Sequence, residues 1–164
     1  MKDSKQTKIR RFYPETIPSF EHEPTRDRFR IQQFENGQGE GVVCLTSFNS
    51  GDIVFALTGA VSSEVTQFSL QVGENLHLHD PHFYGKILHS CDPNCHVDVD
   101  NRRFIAIKPI NKGELVTMDY AQTEDFLFKT FPCGCGASNC RGVVLGRKQF
   151  SPEIAAPARV ASRG

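Results

Sequence analysis

Apolar and polar residues alternate along Gln67-Phe68-Ser69-Leu70-Gln71-Val72, which places Phe68, Leu70 and Val72 on one face of a predicted strand. Val97 and Val99 alternate with Asp98 and Asp100, and Asn101-Arg102 then makes a turn into Arg103-Phe104-Ile105-Ala106-Ile107. That pattern predicts a hairpin. Val42 to Leu45, Asp52 to Leu57 and Leu115 to Tyr120 are three further short β-rich runs, separated by Gly pairs or Asn/Asp clusters. No long amphipathic helix and no internal repeat is visible, so the expected fold class is mainly β, built from short pieces.

Length and composition add bounds. At 164 residues with 38% hydrophobic residues, thirteen Phe and no Trp, the chain suits one domain with a real core. No apolar run is long enough to span a bilayer, and Met1 to Arg11 is polar and basic, unlike a signal peptide. The expected setting is therefore intracellular, cytoplasmic or nuclear, with no membrane partner and with reduced thiols. Residues 1–25, rich in charge and Pro, read as an N-terminal extension, and residues 146–164 read as a loose C-terminal tail. The formal net charge is zero but uneven: residues 12–140 hold 9 basic and 17 acidic residues, a net of −8. An acidic body between basic ends suits a basic substrate. With no interleaving of aromatic and basic residues, it argues against direct nucleic-acid binding.

The six cysteines change the picture most. Cys133, Cys135 and Cys140 fall in Cys133-Gly134-Cys135-Gly136-Ala137-Ser138-Asn139-Cys140, where the glycines permit the tight turning that lets thiolates converge. Structural zinc is almost always four-coordinate, so three local ligands require a distant fourth. Cys44 lies in a predicted strand and suits an apolar role. Cys91 and Cys95, in His89-Ser90-Cys91-Asp92-Pro93-Asn94-Cys95, can each reach the cluster, and spacing alone does not choose between them.

Three separated segments, in order, resemble the SET-domain protein-lysine methyltransferases that carry a post-SET zinc segment. Gly37-Gln38-Gly39-Glu40-Gly41-Val42, followed by Gly51-Asp52 and Gly59, is similar to the family's opening strands. His89-Ser90-Cys91-Asp92-Pro93-Asn94-Cys95 matches most of its Asn-His-Ser-Cys-x-Pro-Asn signature. Ile107 to Tyr120, ending Thr117-Met118-Asp119-Tyr120, is similar to the run that ends in the family's catalytic tyrosine, and the cysteine cluster falls where the post-SET segment belongs. The resemblance implies a SET domain over 26–122 made of small curved sheets with a pseudoknot, and a post-SET zinc segment over 129–145.

It further implies methyl transfer from S-adenosylmethionine to a lysine amine of a protein or peptide, with Tyr120 as the catalytic residue. Cys91 becomes the fourth zinc ligand beside Cys133, Cys135 and Cys140, leaving Cys44 and Cys95 to the core or loops. Gly39, Glu40 and Gly41 would cradle the methionine end of the cofactor. His89 would meet the adenine side through its backbone, and Phe131 would pack on the purine. Leu88 stands at a cofactor-contacting position where the family has Asn, and Leu57 stands where a second active-site tyrosine is common, with Tyr84 a candidate replacement. A SET-fold binding module that has lost turnover is the alternative expectation from those two leucines.

Overall fold

Strands β1 (Phe29–Phe34) and β2 (Gly39–Cys44) pair antiparallel, Phe29 opposite Cys44 and Phe34 opposite Gly39. The structure is a computed structural model that describes residues 10–35 and 39–149. A second sheet has the order β3-β9-β8, from β3 (Ile53–Ala56), β8 (Cys95–Asp98) and β9 (Arg103–Ala106). The β8–β9 pair is the expected hairpin, and Arg102 in its turn has φ 56°, a left-handed conformation. A third sheet, β4-β6-β5, joins β4 (Val61–Ser62), β5 (Ser69–Gly73) and β6 (Leu76–His79). Its register shifts between Gln71 and Gly73, so the period-2 pattern breaks: Leu70 and Gln71 are both buried, while Phe68 and Val72 are half-buried.

Two segments far apart in sequence then meet. β7 (Leu88–His89) pairs in parallel with β10 (Thr117–Met118), Leu88 opposite Thr117 and His89 opposite Met118. The predicted run to Tyr120 therefore ends early as a strand, because its partner is only two residues long. Tyr120–Gln122 forms a 3₁₀ turn instead, with the Asp119 side chain accepting from the Ala121 N–H at its N-cap. β11 (Phe131–Pro132) and β12 (Val143–Val144) close a last antiparallel pair around the cysteine cluster.

Phenylalanines fill the centre. Phe29, Phe55, Phe83 and Phe104 are all at or below 1% exposed, and Phe55 stacks on Phe104 at 4.5 Å and meets Phe83 edge-on at 4.8 Å. Cys44 and Cys95 are fully buried in this core, where burial pushes both thiols up to about 12. The stretch 10–25, read from sequence as part of an extension, packs on the same core: Phe12 lies 4.8 Å from Phe83, and Arg11 pairs with the buried Glu23 at 2.6 Å. Phe12 and Tyr13 supply the apolar anchors that this Pro- and charge-rich stretch needs. Residues 146–149 are also tied down, with Arg147 N–H donating to the Glu124 carbonyl at 2.7 Å. Residues 1–9 and 150–164, where the rest of the expected extension and tail fall, lie outside the described residues. No helix among the described residues is long and apolar enough to cross a membrane.

Candidate active site and metal centre

A side chain from the loop after β7 helps lock the meeting of β7 and β10. Asn94 Nδ2–H donates to the Leu115 carbonyl at 2.7 Å, and Asn94 Oδ1 accepts from the Thr117 N–H at 2.9 Å. The amide thus completes the backbone bonding that a two-residue strand leaves unmet. Immediately beyond β10, Tyr120 turns its hydroxyl to donate to the Ile87 carbonyl. Burial holds the Tyr120 phenol well above its ordinary pKa, so it keeps its proton.

His89 sits beneath this tyrosine with a side chain 3% exposed. Its Nδ1 accepts from the Tyr120 N–H at 3.1 Å, which leaves the proton of the neutral ring on Nε2. Nε2 in turn lies 3.4 Å from Cys91 Sγ, so one imidazole joins the tyrosine backbone to the cysteine cluster. The expected role of His89 was a backbone contact; its side chain also braces the two crossing segments.

A cleft of about 910 Å³ opens beside them. Gly39, Glu40, Leu88, His89, Tyr120 and Phe131 all line it, as do Cys133 and Cys135. Gly41 does not; a Cβ there would fall 2.9 Å from Phe34 Cε2 and 3.0 Å from Leu88 Cδ1, so this glycine permits close packing behind the wall. Gly39 has φ +77° and nothing within 4 Å of a would-be Cβ, leaving open space at the cleft edge. Phe131 is 38% exposed and 6.3 Å from the Tyr120 ring, edge-on. Tyr84 also lines the cleft, its hydroxyl donating to the Thr58 carbonyl at 2.6 Å, whereas Leu57 is buried in the core.

Two charged contributors were not foreseen. Lys86 Nζ lies 2.7 Å from Glu40 Oε2 across the cleft wall. Such a pair presents one cation and one anion side by side, the complement of an amino-acid zwitterion. Glu124, 6% exposed, reaches the cleft from the segment after Tyr120, and burial raises its pKa. Nothing in the local pattern marks either residue, because charged side chains usually cover solvated faces.

Cys91, Cys133, Cys135 and Cys140 converge, with all four Sγ atoms within 4.8 Å of one another. Cys91 and Cys133 Sγ are 3.8 Å apart. Tetrahedral zinc with Zn–S of about 2.3 Å demands S···S of about 3.8 Å, which the Cys91–Cys133 pair meets, and four thiols suit the metal in kind. Backbone N–H groups of Arg141 and Gly142 point at Cys91 and Cys140 Sγ, each at 3.4 Å. Hydrogen bonds from the backbone of Cys91 and Ala137 pull the Cys135 thiol down, while burial pushes up that of its neighbour Cys133. Cys95 takes no part in the cluster. Asp119 adds a tie from the strap to the site, accepting from the Arg141 guanidinium at 2.7 Å.

Residues 39–121, just over half of the chain, match the family model of the SET domain. The chain belongs to the SET-domain family. The chain is 26% identical over 113 residues to the methyltransferase flvH of Aspergillus flavus, covering 67% of this chain and 64% of that one. It is 27% identical over 126 residues to human histone-lysine N-methyltransferase 2B, covering 63% of this chain and 5% of the relative. Among solved structures, KRYPTONITE in complex with mCHG DNA and SAH superposes with a TM-score of 0.56 at 26% identity, over 71% of this chain and 29% of that one. The chain thus spans less than two thirds of the length of each of these proteins.

Proposed function

We propose that this chain transfers a methyl group from S-adenosylmethionine to a lysine side-chain amine of a protein or peptide, with zinc as a structural metal. The observation that carries the reading is the Tyr120 hydroxyl, held by the Ile87 carbonyl in a cleft shared by Gly39, Glu40, His89 and Phe131. When bound, the cofactor supplies a methyl group on a cationic sulfonium. The Glu40–Lys86 pair and the Gly39 backbone would hold its amino-acid end, and Phe131 its purine face. Tyr120, kept protonated by burial, is a fixed dipole at the reacting centre rather than a base. The surrounding walls of Leu70, Ile87, Leu88 and Met118 exclude water, and that disfavours the ammonium form of a lysine relative to the neutral amine that attacks. Alignment in such a site supplies much of the rate.

Cys91, Cys133, Cys135 and Cys140 would hold the zinc, clamping the strap that bears Phe131 against the signature loop. A histone is the first substrate class to test, because human relative 2B is named for it, and it would put the site in the nucleus. DNA is named with KRYPTONITE; the acidic body here supports no such partner.

Calorimetric titration of zinc-replete protein with S-adenosylmethionine tests the reading, and absence of binding would refute it. Where binding is seen, Tyr120→Phe should keep cofactor affinity and lose at least about a hundredfold in methyl transfer, the size expected for a lost preorganised donor. Leu57 and Leu88 favour the second reading, a binding module without turnover, since both remove polar groups. Tyr84 does not restore a free hydroxyl, since its own is committed to the Thr58 carbonyl at 2.6 Å, while the retained Tyr120 weighs against the second reading.

A further inference from the structure

Glu124 is anchored by one oxygen only. Its Oε2 accepts from the Gln71 N–H at 2.8 Å and from the Thr123 hydroxyl at 2.7 Å. No donor among the described residues reaches Oε1, and Oε1 is not among the side-chain atoms sealed from solvent without a partner, a condition found only at His77 Nδ1. Because the residue is 6% exposed and lines the cleft, the surface it retains opens there. Arg147 acts on the Glu124 charge only from a distance and forms no ion pair with it, because its guanidinium is committed to Asp125 at 2.9 Å and to the Gln122 and Thr123 carbonyls. A carboxylate held mostly out of water with no ion pair of its own is costly, which is why burial raises the Glu124 pKa, and its charge becomes favourable once a cation enters to meet it.

The position of Glu124 follows from Tyr120. The Glu124 N–H donates to the Tyr120 carbonyl at 2.9 Å, which sets the two side chains one turn apart on the same cleft. The wall behind Glu124 is rigid, since Gln71 Nε2–H donates to Asp125 at 2.8 Å and Gln71 Oε1 accepts from the Asp125 N–H at 2.7 Å.

We propose that Glu124 receives the substrate lysine as an ammonium ion, Oε1 accepting a hydrogen bond from the ε-NH₃⁺ group before the amine reaches Tyr120. This deepens the methyl-transfer reading and rests on it. The contact holds the charged form, whereas attack needs the neutral one, so Glu124 is an entry and specificity residue and not part of the reacting centre. Its loss should weaken binding of the lysine side chain and leave turnover of bound substrate intact.

The test uses full-length, zinc-replete protein saturated with S-adenosylhomocysteine, with Nα-acetyl-lysine amide and its neutral counterpart Nα-acetyl-norleucine amide as probes in an NMR titration. Wild type should bind the lysine probe about tenfold more tightly than the norleucine probe, the difference shrinking as salt rises. Glu124→Gln, which preserves shape and the Gln71 contact, should bind both equally with no salt dependence. Equal binding of the probes by wild type, no binding of either, or discrimination retained in Glu124→Gln would overturn the proposal. Calorimetry with S-adenosylhomocysteine comes first: failure there sinks the methyl-transfer reading itself, whereas normal binding with failed lysine discrimination sinks only the role of Glu124. Unchanged zinc content and unfolding midpoint in Glu124→Gln assign the change to the contact and not to misfolding.

Discussion

Asp80 accepts four hydrogen bonds while only 1% exposed. Its Oδ1 takes the N–H groups of His82 and Phe83 at 2.6 and 3.0 Å; its Oδ2 takes the Tyr13 hydroxyl at 2.7 Å and the Tyr84 N–H at 3.1 Å. One carboxylate thereby fixes the turn that delivers Tyr84, Lys86 and Ile87 to the cleft. Asp80→Asn puts an NH₂ group against backbone donors and should destabilise the protein by about 3 kcal/mol, with weaker cofactor binding. Urea unfolding measures this, and a loss below about 1 kcal/mol would show that those donors find other acceptors. At this scale the chemistry of the cysteines was readable from spacing, because thiolates at short glycine-rich intervals have few other uses. Cys91 was not chosen by spacing; only the resemblance preferred it over Cys95, and the convergence of the four Sγ atoms agrees with that preference. Lys86, Glu124 and Gln71 were illegible, since their roles depend on neighbours 46 to 54 positions away.

The strap from β11 to β12 is the element most dependent on its metal. Only two residue pairs, Phe131 with Val144 and Pro132 with Val143, hold it as a ladder, and Phe131 and Pro132 are exposed. An isolated pair of this length has almost no stability of its own, and beyond it the strap is tied by Asn139 to the Cys91 carbonyl at 3.0 Å and by Arg141 to Asp119 at 2.7 Å, so the thiolate cluster is expected to supply most of the remaining order. Removing zinc with a chelator should raise amide exchange across 131–144 to near-random rates and abolish binding of S-adenosylmethionine, because Phe131, Cys133 and Cys135 wall the cleft. Full-strength binding by chelated protein would break that link. The β8–β9 hairpin was legible in the alternation because each of its strands buries one face, whereas β2 and β3 showed only as short β-rich runs and the alternation read for β5 breaks at its register shift. The two-residue strands β4, β7, β10, β11 and β12 carry no period to read. They exist where tertiary crossing brings backbones together, which local patterning does not encode.

Across the whole molecule, the small sheets are joined less by shared strands than by side-chain clasps. Asn94 joins the crossing segments, Gln71 joins β5 to the stretch after Tyr120, and Arg147 joins that stretch to residues 146–149. The mainly β class was evident from the residue pattern, the domain family from the resemblance of ordered motifs and the acidic character of the body from composition, while the packing of residues 10–25 was hidden behind their charge and Pro content. The parallel meeting of β7 and β10 also has a consequence in time. The two segments must meet before the site exists, and closing the long loop between them costs chain entropy that local contacts cannot offset early. During synthesis Cys133, Cys135 and Cys140 emerge last, so the ring closed between Cys91 and Cys133, 42 positions apart, forms after the residues it encloses are already present. A denatured chain offers all four thiolates at once, and metal captured then closes the ring around segments that have yet to pair. Refolding by dilution should therefore recover more active protein when zinc is added after the chain has collapsed than when it is present from the start; equal recovery in the two orders would show that the crossing forms faster than the clamp.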